Sequence, residues 1–415
     1  MKVLVIGGGG REHAIVKKLK ESKKVSQVYC LPGNAGIAED AICVGGSPTD
    51  FEKIKKTVFA RGIRLVVVAP DDPLYLGLVD ELHDHGVRAF GPEKAAARLE
   101  GSKVHSKNFM RRHGIPTADY EYFADYSLAL NYVKKCSFPL VIKADGLALG
   151  KGVFICHSLS DAEAALKKLM LDGVFGESGS VVVVEEFLTG REVTVLAFTD
   201  GKTIKCMPSS QDHKRAYDGD EGPNTGGMGA FAPSPYFTPE LFAEAEKNII
   251  IPTLKGLKAD GIKYKGVIYF GLMLTSKGVK LIEYNARFGD PEAEAVLPLL
   301  KTDLFEIMTA CIEGRLGDLD IEWENKTGFT VVVASGGYPD NVVKGYPITI
   351  GELEGVTLYH AGTAIKDKKL VTNGGRVFDV TAVADNLEEA RKIVYREIDK
   401  IQFKGARYRS DIGKV

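Results

Sequence analysis

The sequence predicts a multidomain α/β and α+β protein. Its parts are a parallel-sheet α/β domain at 1–101, a body with longer antiparallel strands at 102–125 and 191–325, a small α/β unit inserted at 126–190, and a small β-rich domain at 326–415. Three observations carry this. A chain of 415 residues holds two to three domains at roughly 150 residues each. Residues 1–101 alternate β-branched runs with helical patterns, which builds right-handed βαβ units and a parallel sheet. Later runs are longer and joined by Asp200-Gly201 and Lys277-Gly278, which are turn signals between antiparallel neighbours.

In chain order, strands are expected at 3–6, 27–30, 65–69 and 88–90, with helices at 11–21, 51–61 and 73–85 between them. Pro73 follows Asp71-Asp72, an acidic start with Pro in the first turn. Ser102 caps a helix at 103–113 that Gly114 stops. The inserted unit has helices near 127–135 and 161–171 and strands at 140–144, 153–156 and 181–186. Strands follow at 192–200, 203–207, 266–274 and 279–287, and the last segment ends in a helix at 387–401.

The 54 Lys and Arg against 55 Asp and Glu leave a formal charge of −1, so nucleic acid and anionic membrane are not expected as partners. No apolar run reaches the roughly 18 residues of a membrane span, and the apolar start at Val3–Ile6 is too short for a signal peptide. Six cysteines stand singly with no C-x-x-C pair, which fits free thiols in a reducing cytoplasm.

Five stretches could carry chemistry. Gly7-Gly8-Gly9-Gly10-Arg11-Glu12-His13 joins a strand to a helix, where backbone N–H groups and the helix end favour a phosphate or small anion. It is not a dinucleotide fingerprint. The third glycine of G-x-G-x-x-G falls at Glu12, and no acid closes the second strand. Lys143 sits on a β-branched strand that leads into Gly146-x-x-x-Gly150-Lys151-Gly152 and then a second strand, a glycine-rich cover able to lie over a polyphosphate. The spacing is not that of a Walker loop. Val181–Leu188 ends a buried strand in Glu185, Glu186 and Phe187; in isolation it is an apolar strand with a solvated end.

The fourth stretch is the most informative. Along Lys280–Phe288, period two puts Glu283, Asn285 and Arg287 on one face and Ile282, Tyr284, Ala286 and Phe288 on the core side. A carboxylate and an amide oxygen are hard ligands suited to Mg²⁺, and Arg287 can fork onto phosphoryl or carboxylate oxygens. Gly289-Asp290-Pro291-Glu292 then turns the chain into a helix. The fifth stretch runs between Met207 and Phe231 with almost no apolar periodicity, as a functional loop would. Its Asp212, Lys214 and Arg215 suit an amine, carboxylate or phosphate. No nucleophile elbow or Ser/His/Asp order is present, which favours positioning and electrostatics over covalent catalysis.

Together these motifs resemble the ATP-grasp superfamily and, within it, the phosphoribosylamine–glycine ligase family. The resemblance covers nearly the whole chain and is most specific at Ser210–Arg215, Gly222–Ala230 and Asn285–Glu292. It implies a Rossmann-like (pre-ATP-grasp) N-terminal domain, an ATP-grasp core with the unit at 126–190 as its mobile lid, and a small C-terminal domain. It implies a ligase of purine biosynthesis that joins glycine to 5-phosphoribosylamine through glycyl phosphate, with ATP as co-substrate and Mg²⁺ or Mn²⁺. Lys103 and Lys143 would contact ATP phosphates under Gly146, Gly150, Lys151 and Gly152. Glu185, Phe187 and Leu188 would frame the adenine, and Glu192 would meet the ribose. Glu283 and Asn285 would hold the metal, and Lys143 and Arg287 would stabilise charge in the transfer. Gly9, Gly10, Asp212, Lys214, Asn224, Thr225, Gly226, Gly227, Arg287, Asp290, Pro291 and Glu292 would handle glycine and phosphoribosylamine. Where the family commonly has Gly-Pro-Glu this chain reads Ala69-Pro70-Asp71, keeping the acid on a shorter stem. The working unit is expected to be a monomer, with a dimer left open.

Overall fold

The computed structural model describes residues 1–146 and 152–414. Its N-terminal sheet has five parallel strands, in the order Ile42–Cys43, Gln27–Pro32, Lys2–Gly7, Leu65–Val68 and Ala89–Phe90. Val3 and Val5 enter one hydrophobic cluster with Ile15 and Leu19, while Leu4 and Ile6 enter another with Ile54, Val58 and Leu82. Both faces of the strand are therefore covered, as a parallel sheet requires. The single helix expected at 73–85 is two, Asp71–Leu76 and Leu78–Asp84. Gly77 separates them at φ 96°, a left-handed conformation that stops the first helix.

Ser102 caps the helix Lys103–Arg112 as expected, its Oγ accepting from His105 N at 3.1 Å. Asp145 reinforces that cap by accepting from Val104 N at 2.7 Å. The inserted unit is a four-stranded antiparallel sheet, ordered Tyr120–Phe123, Val182–Glu186, Leu140–Ala144 and Val153–Cys156. Helices Tyr126–Val133 and Leu159–Met170 bury their apolar faces with Leu140, Ile142 and Val184. The strand Tyr120–Phe123, which the sequence pattern leaves out, pairs antiparallel with Val182–Glu186.

The core sheet is also antiparallel, ordered Ile204–Cys206, Arg191–Thr199, Gly266–Thr275 and Gly278–Asn285. Helices Pro239–Ala245, Ile251–Ala259 and Leu304–Glu313 were not anticipated from the sequence. A second five-stranded sheet joins Gln211–Asp212 and Gly229–Ala232 to Thr327–Ala334, Arg376–Ala384 and Thr357–His360. The C-terminal β-rich body thus continues, strand by strand, into the stretch between Met207 and Phe231. That stretch is ordered by short strands rather than being a bare loop.

One correction concerns the strand with the acidic face. Gly271 pairs with Glu283 and Leu272 with Leu281, so Ile282 is the extra residue of a bulge. Leu281 and Tyr284 are buried while Ile282 is only half-buried and lines a cleft. The predicted core position of Ile282 is therefore wrong, whereas Tyr284, Ala286 and Phe288 are core.

The three bodies meet at a group of carboxyls. Oxygens of Asp290, Glu294 and Asp379 lie within 4.8 Å of one another. Both carboxyl oxygens of Glu294 and of Asp379 are buried without a hydrogen-bond partner among the described residues. Gly10, the first residue of its helix, sits on them: a β-carbon there would lie 2.2 Å from Asp379 Oδ2. Burial first, and the neighbouring Asp290 charge second, push the Glu294 and Asp379 carboxyls well above the usual range. An acid raised by folding stabilises the protein at low pH, and that stability is lost as pH rises through the raised value. Replacing Glu294→Gln should therefore lift the unfolding temperature near pH 8.5 by about 2–4 °C and flatten its decline with pH. Thermal scans from about pH 6 to about pH 9 check this, and a decline equal to that of the unsubstituted chain would rule it out.

Candidate active site

A cleft of about 1140 Å³ opens between the N-terminal domain, the core sheet and the inserted sheet. Lys103 and Lys107 stand one helical turn apart on the helix Lys103–Arg112, so they share a face. Lys143 comes from the strand Leu140–Ala144 of the inserted sheet, and all three line the cleft. Lys143 Nζ and Lys107 Nζ approach the same oxygen, Glu185 Oε2, at 2.9 and 3.1 Å. Lys107 also donates to Thr117 Oγ1 at 2.8 Å. Lys103 Nζ donates to the Gly146 carbonyl at 3.4 Å.

Lys107, Lys143 and Glu185 are nearly dry, and Lys103 is half-buried. Burial pushes the Lys107 ammonium down to about 8, a fall that the Glu185 charge only partly offsets. Burial likewise lowers Lys103 despite the Glu283 charge. Burial would raise Glu185, but Lys143 and Lys107 outweigh it and hold that carboxyl below its usual range. Glu185 Oε1 has no hydrogen-bond partner among the described residues. Three lysines around one buried carboxylate leave excess positive charge, which suits a polyanion.

The facing wall is the end of the strand Gly278–Asn285. Glu100, on the helix Lys94–Gly101, organises it. Its carboxylate takes Arg287 Nη2 at 2.8 Å and Ala286 N at 2.7 Å. The Asn285 amide is oriented with Nδ2 donating to Glu100 Oε1 at 3.1 Å and to the Tyr284 carbonyl at 3.2 Å. That orientation turns Asn285 Oδ1 away from Glu100 and frees it as an acceptor. Among the described residues, the one cation within 4 Å of Glu283 is Lys214, at 3.9 Å. Burial tends to raise Glu283, and Lys214, Lys143 and Lys103 together bring it below the usual carboxylate range. A charged carboxylate beside a free amide oxygen is a hard-donor pair that fits Mg²⁺ or Mn²⁺.

Lys214 links this wall to the third, its Nζ lying 3.1 Å from Glu192 Oε2. That Glu192 charge, acting against burial, holds the Lys214 ammonium well above its usual range. Asp212 Oδ1 is buried without a hydrogen-bond partner among the described residues, and burial together with the Glu292 charge pushes its carboxyl well up. Glu292 accepts from Tyr269 OH at 2.9 Å. Thr225 N and Oγ1 both donate to the Lys214 carbonyl, at 2.7 and 2.9 Å. Gly227 holds φ 118°, and a β-carbon there would lie 2.3 Å from Pro291 Cδ. Arg376 Nη1 bridges Asp290 Oδ1 at 3.0 Å and the Gly226 carbonyl at 2.8 Å.

Of the residues singled out in the sequence, Lys103, Lys143, Gly152, Glu185, Phe187 and Leu188 line the cleft. So do Glu192, Glu283, Asn285, Arg287, Asp212 and Lys214, and with them Asn224, Thr225, Gly226, Asp290 and Glu292. Gly227 and Pro291 pack directly behind that wall. Gly146 contributes its carbonyl to Lys103. Gly150 and Lys151 lie outside the described residues.

Gly9 and Gly10 are not among the residues lining the cleft, although a β-carbon on Gly9 would lie 3.4 Å from Asp290 Oδ2. The N–H groups of Gly8 and Gly9 donate to Glu12 Oε2, at 3.1 and 2.6 Å, so the anion at the glycine turn is the chain's own side chain. Gly10 is small because Asp379 and Glu294 press against it. Lys107, Glu100 and Arg376 were not singled out as site residues. The spacing of four between Lys103 and Lys107 was the one available signal for them.

Comparison with known proteins agrees along the whole chain. The N domain of phosphoribosylglycinamide synthetase matches residues 1–100, its ATP-grasp (A) domain residues 101–293 and its C domain residues 328–415. The phosphoribosylamine–glycine ligase of Caldanaerobacter subterraneus is 50% identical over 413 residues, which is 99% of each chain. That of Ralstonia nicotianae is 46% identical over 416 residues, covering 100% of this chain and 99% of the other. The crystal structure of the Thermotoga maritima phosphoribosylamine–glycine ligase superposes with a TM-score of 0.87 at 36% identity, over 99% of this chain and 100% of that one. The biotin carboxylase domain of Hydrogenobacter thermophilus 2-oxoglutarate carboxylase, solved with MgADP, has a TM-score of 0.76 over 98% of this chain and 91% of its own. At 16% identity it shares the fold alone.

Lys107 supplies a pH test of the cleft. Its ammonium is charged below about 8 and neutral above, so a non-hydrolysable ATP analogue should lose about fivefold in affinity between pH 7 and pH 9. Lys107→Met should bind more weakly at pH 7 and show little of that slope. Calorimetric titration measures both, and an unchanged slope in the variant would remove Lys107 from the phosphate site.

Proposed function

The chain belongs to the phosphoribosylglycinamide synthetase family, and from that premise we infer how its residues divide the work of the reaction. The protein is an ATP-grasp ligase that joins glycine to phosphoribosylamine, forming glycinamide ribonucleotide in purine biosynthesis. The observation that carries the assignment of residues is the meeting, in one cleft, of the buried Lys107 and Lys143 and the half-buried Lys103 with the strand bearing Glu283, Asn285 and Arg287.

Glycine carboxylate is a poor acyl donor because its charge repels a nucleophile. In our reading it attacks the terminal phosphorus of ATP, the bond to the bridging oxygen breaks, and ADP leaves with that electron pair. The product, glycyl phosphate, is attacked at its carbonyl by the amine of phosphoribosylamine; phosphate leaves and the amine loses a proton. Lys103, Lys107 and Lys143 hold the phosphates in line and offset their charge. Phe187 and Leu188, half-buried beside Glu185, frame the adenine, and Glu192 faces the ribose. Glu283 and Asn285 would hold Mg²⁺ or Mn²⁺, which when bound neutralises phosphoryl oxygens during transfer. Arg287, anchored on Glu100, aims its remaining N–H groups at the transferring group or the glycine carboxylate. Its Nε is buried and unpartnered.

Asp212, Lys214, the Asn224–Gly227 turn and Asp290–Glu292 form the face for glycine and phosphoribosylamine. Asp212 Oδ1, buried without a hydrogen-bond partner among the described residues, suits the ammonium of glycine. The sheet at 120–186 acts as the cover that excludes water from a hydrolysable acyl phosphate. The six cysteines are free thiols, as in a reducing cytoplasm, and no helix among the described residues is long and apolar enough to cross a membrane.

Release of ADP should require glycine and reach full rate only with phosphoribosylamine present. Glu283→Gln should keep the unfolding temperature and lower turnover by about 10²-fold or more at saturating Mg²⁺. A steady-state assay of ADP measures this, and turnover equal to the unsubstituted chain would remove Glu283 from the metal site.

A further inference from the structure

The hairpin of Arg215–Tyr217 and Glu221–Asn224 has almost no core of its own. Ala216 is its one buried side chain, and Tyr217 is half exposed. Two pairs of residues hold its strands, Arg215 with Asn224 and Tyr217 with Glu221. A two-stranded hairpin of this kind is marginal by itself. Its tip carries Gly219 at φ 73° and Asp220 at φ 56°, and the left-handed region is costly for a residue other than glycine. Yet its two ends are Lys214 and Asn224, both on the wall of the cleft.

What holds the hairpin is the segment 407–411. Arg409 is 2% exposed and forks onto Asp411, with Nε to Oδ1 and Nη2 to Oδ2 both at 2.8 Å. Its Nη1 reaches Asp220 Oδ1 at 2.8 Å and the Arg215 carbonyl at 3.1 Å. Asp411 Oδ2 also accepts from Gly219 N at 2.8 Å. Asp218 accepts from Ser410 N at 2.9 Å and from the Ser410 hydroxyl. Arg407 Nη1 donates to the Ala216 carbonyl at 3.0 Å.

The segment is itself anchored. Arg407 exchanges backbone hydrogen bonds with Ala334, Tyr395 OH donates to the Arg409 carbonyl at 2.6 Å, and Ile412 is wholly buried. Every residue from 215 to 220 except Tyr217 therefore has a polar bond to a fixed body, and the fork at Arg409 is the centre of the set.

We propose that Arg409 is a positioning residue for the ligation: through Asp411 and Asp220 it fixes the hairpin, and through the hairpin it fixes Lys214 and Asn224 against glycine and phosphoribosylamine. The proposal rests on the assignment of that wall to the co-substrates. Among the described residues, Lys103, Lys107, Lys143 and Glu185 make no hydrogen bond or ion pair to segment 407–411, and the ion pair of Lys214 with Glu192 is the tie to the nucleotide side, so loss of Arg409 should affect ATP less than the co-substrates.

The test compares Arg409→Met, Asp220→Asn and Lys214→Met in the full chain. Arg409→Met should raise the KM for glycine or for phosphoribosylamine about tenfold, keep the KM for ATP within about twofold, and speed amide exchange across 215–224. Arg409→Lys, which keeps the charge but not the fork, should recover part of the loss. Asp220 is exposed, so Asp220→Asn should fold whatever Arg409→Met does, and should move the same two readouts in the same direction. Unchanged exchange in these variants, or a KM for ATP that rises as much as the others, overturns the proposal. If Lys214→Met raises the co-substrate KM values while the Arg409 and Asp220 variants do not, the proposal alone falls. If Lys214→Met also leaves them unchanged, the assignment of the wall falls and the positioning role goes with it.

Discussion

Two ammonium groups on one carboxylate oxygen are the contact on which the cleft depends. Lys107 belongs to a helix of the core, whereas Lys143 and Glu185 belong to neighbouring strands of the inserted sheet. Their ion pairs therefore join two bodies as well as two charges. Burying charge costs several kcal/mol per ion unless partners replace the lost water. Glu185 supplies one negative charge against two lysines, with Lys103 close by, so the arrangement is incomplete without an anion. In the proposed function a polyphosphate would supply that anion, and it would bridge the same two bodies. Binding and closure of the cover then draw on one electrostatic source, in keeping with the proposed ordering of ATP before the acyl phosphate forms.

The opposite wall rests on a bulge and on one buried acid. Ile282 as the extra residue changes the phase of the strand, so that Leu281 and Tyr284 are both buried while Glu283 and Asn285 face the cleft. Glu100 then fixes the amide of Asn285, the backbone of Ala286 and the guanidinium of Arg287 with one carboxylate. Burial tends to raise Glu100, and its net value stays above the usual range even beside Arg287. A strained charge of this kind is retained where orientation matters more than stability, and here it orients three groups of the proposed metal and phosphoryl site.

How much of this was legible in the sequence follows from the range of each signal. Strand periodicity is local, so the parallel sheet and the shared face of Glu283, Asn285 and Arg287 could be read directly. The bulge at Ile282 was not, because it depends on the partner strand at Gly271 and Leu272. Leu304–Glu313 has almost no polar face, being buried along most of its length, so period 3.6 has little to display there. The glycine turn looked like an anion site, and it is one, but Glu12 three residues after Gly9 fills it in the manner of a capping box. Lys107 stood in plain view one turn after Lys103, yet only the fold brings Glu185 to it across 78 positions of chain. Glu100 acts on residues more than 180 positions away, and no local pattern carries that information.

The two sides of the cleft are held by different physics. On the nucleotide side the charges are dry, set on strands and a capped helix whose backbones are rigid. On the co-substrate side the ties between 215–220 and 407–411 are mostly at the surface, where single ion pairs contribute little. Only in parallel, and with the two-pronged geometry of Arg409 on Asp411, do they define one conformation. Structure secured in that way sits at the low end of local stability and opens before the sheets do. A wall that must admit an unstable amine and release a larger product has reason to be fastened so. The fastening can yield without disturbing Lys143 or Glu185, because none of its bonds reaches them. In the proposed division of the site, the ion pair of Lys214 with Glu192 is the tie by which the state of the co-substrate wall reaches the ATP side.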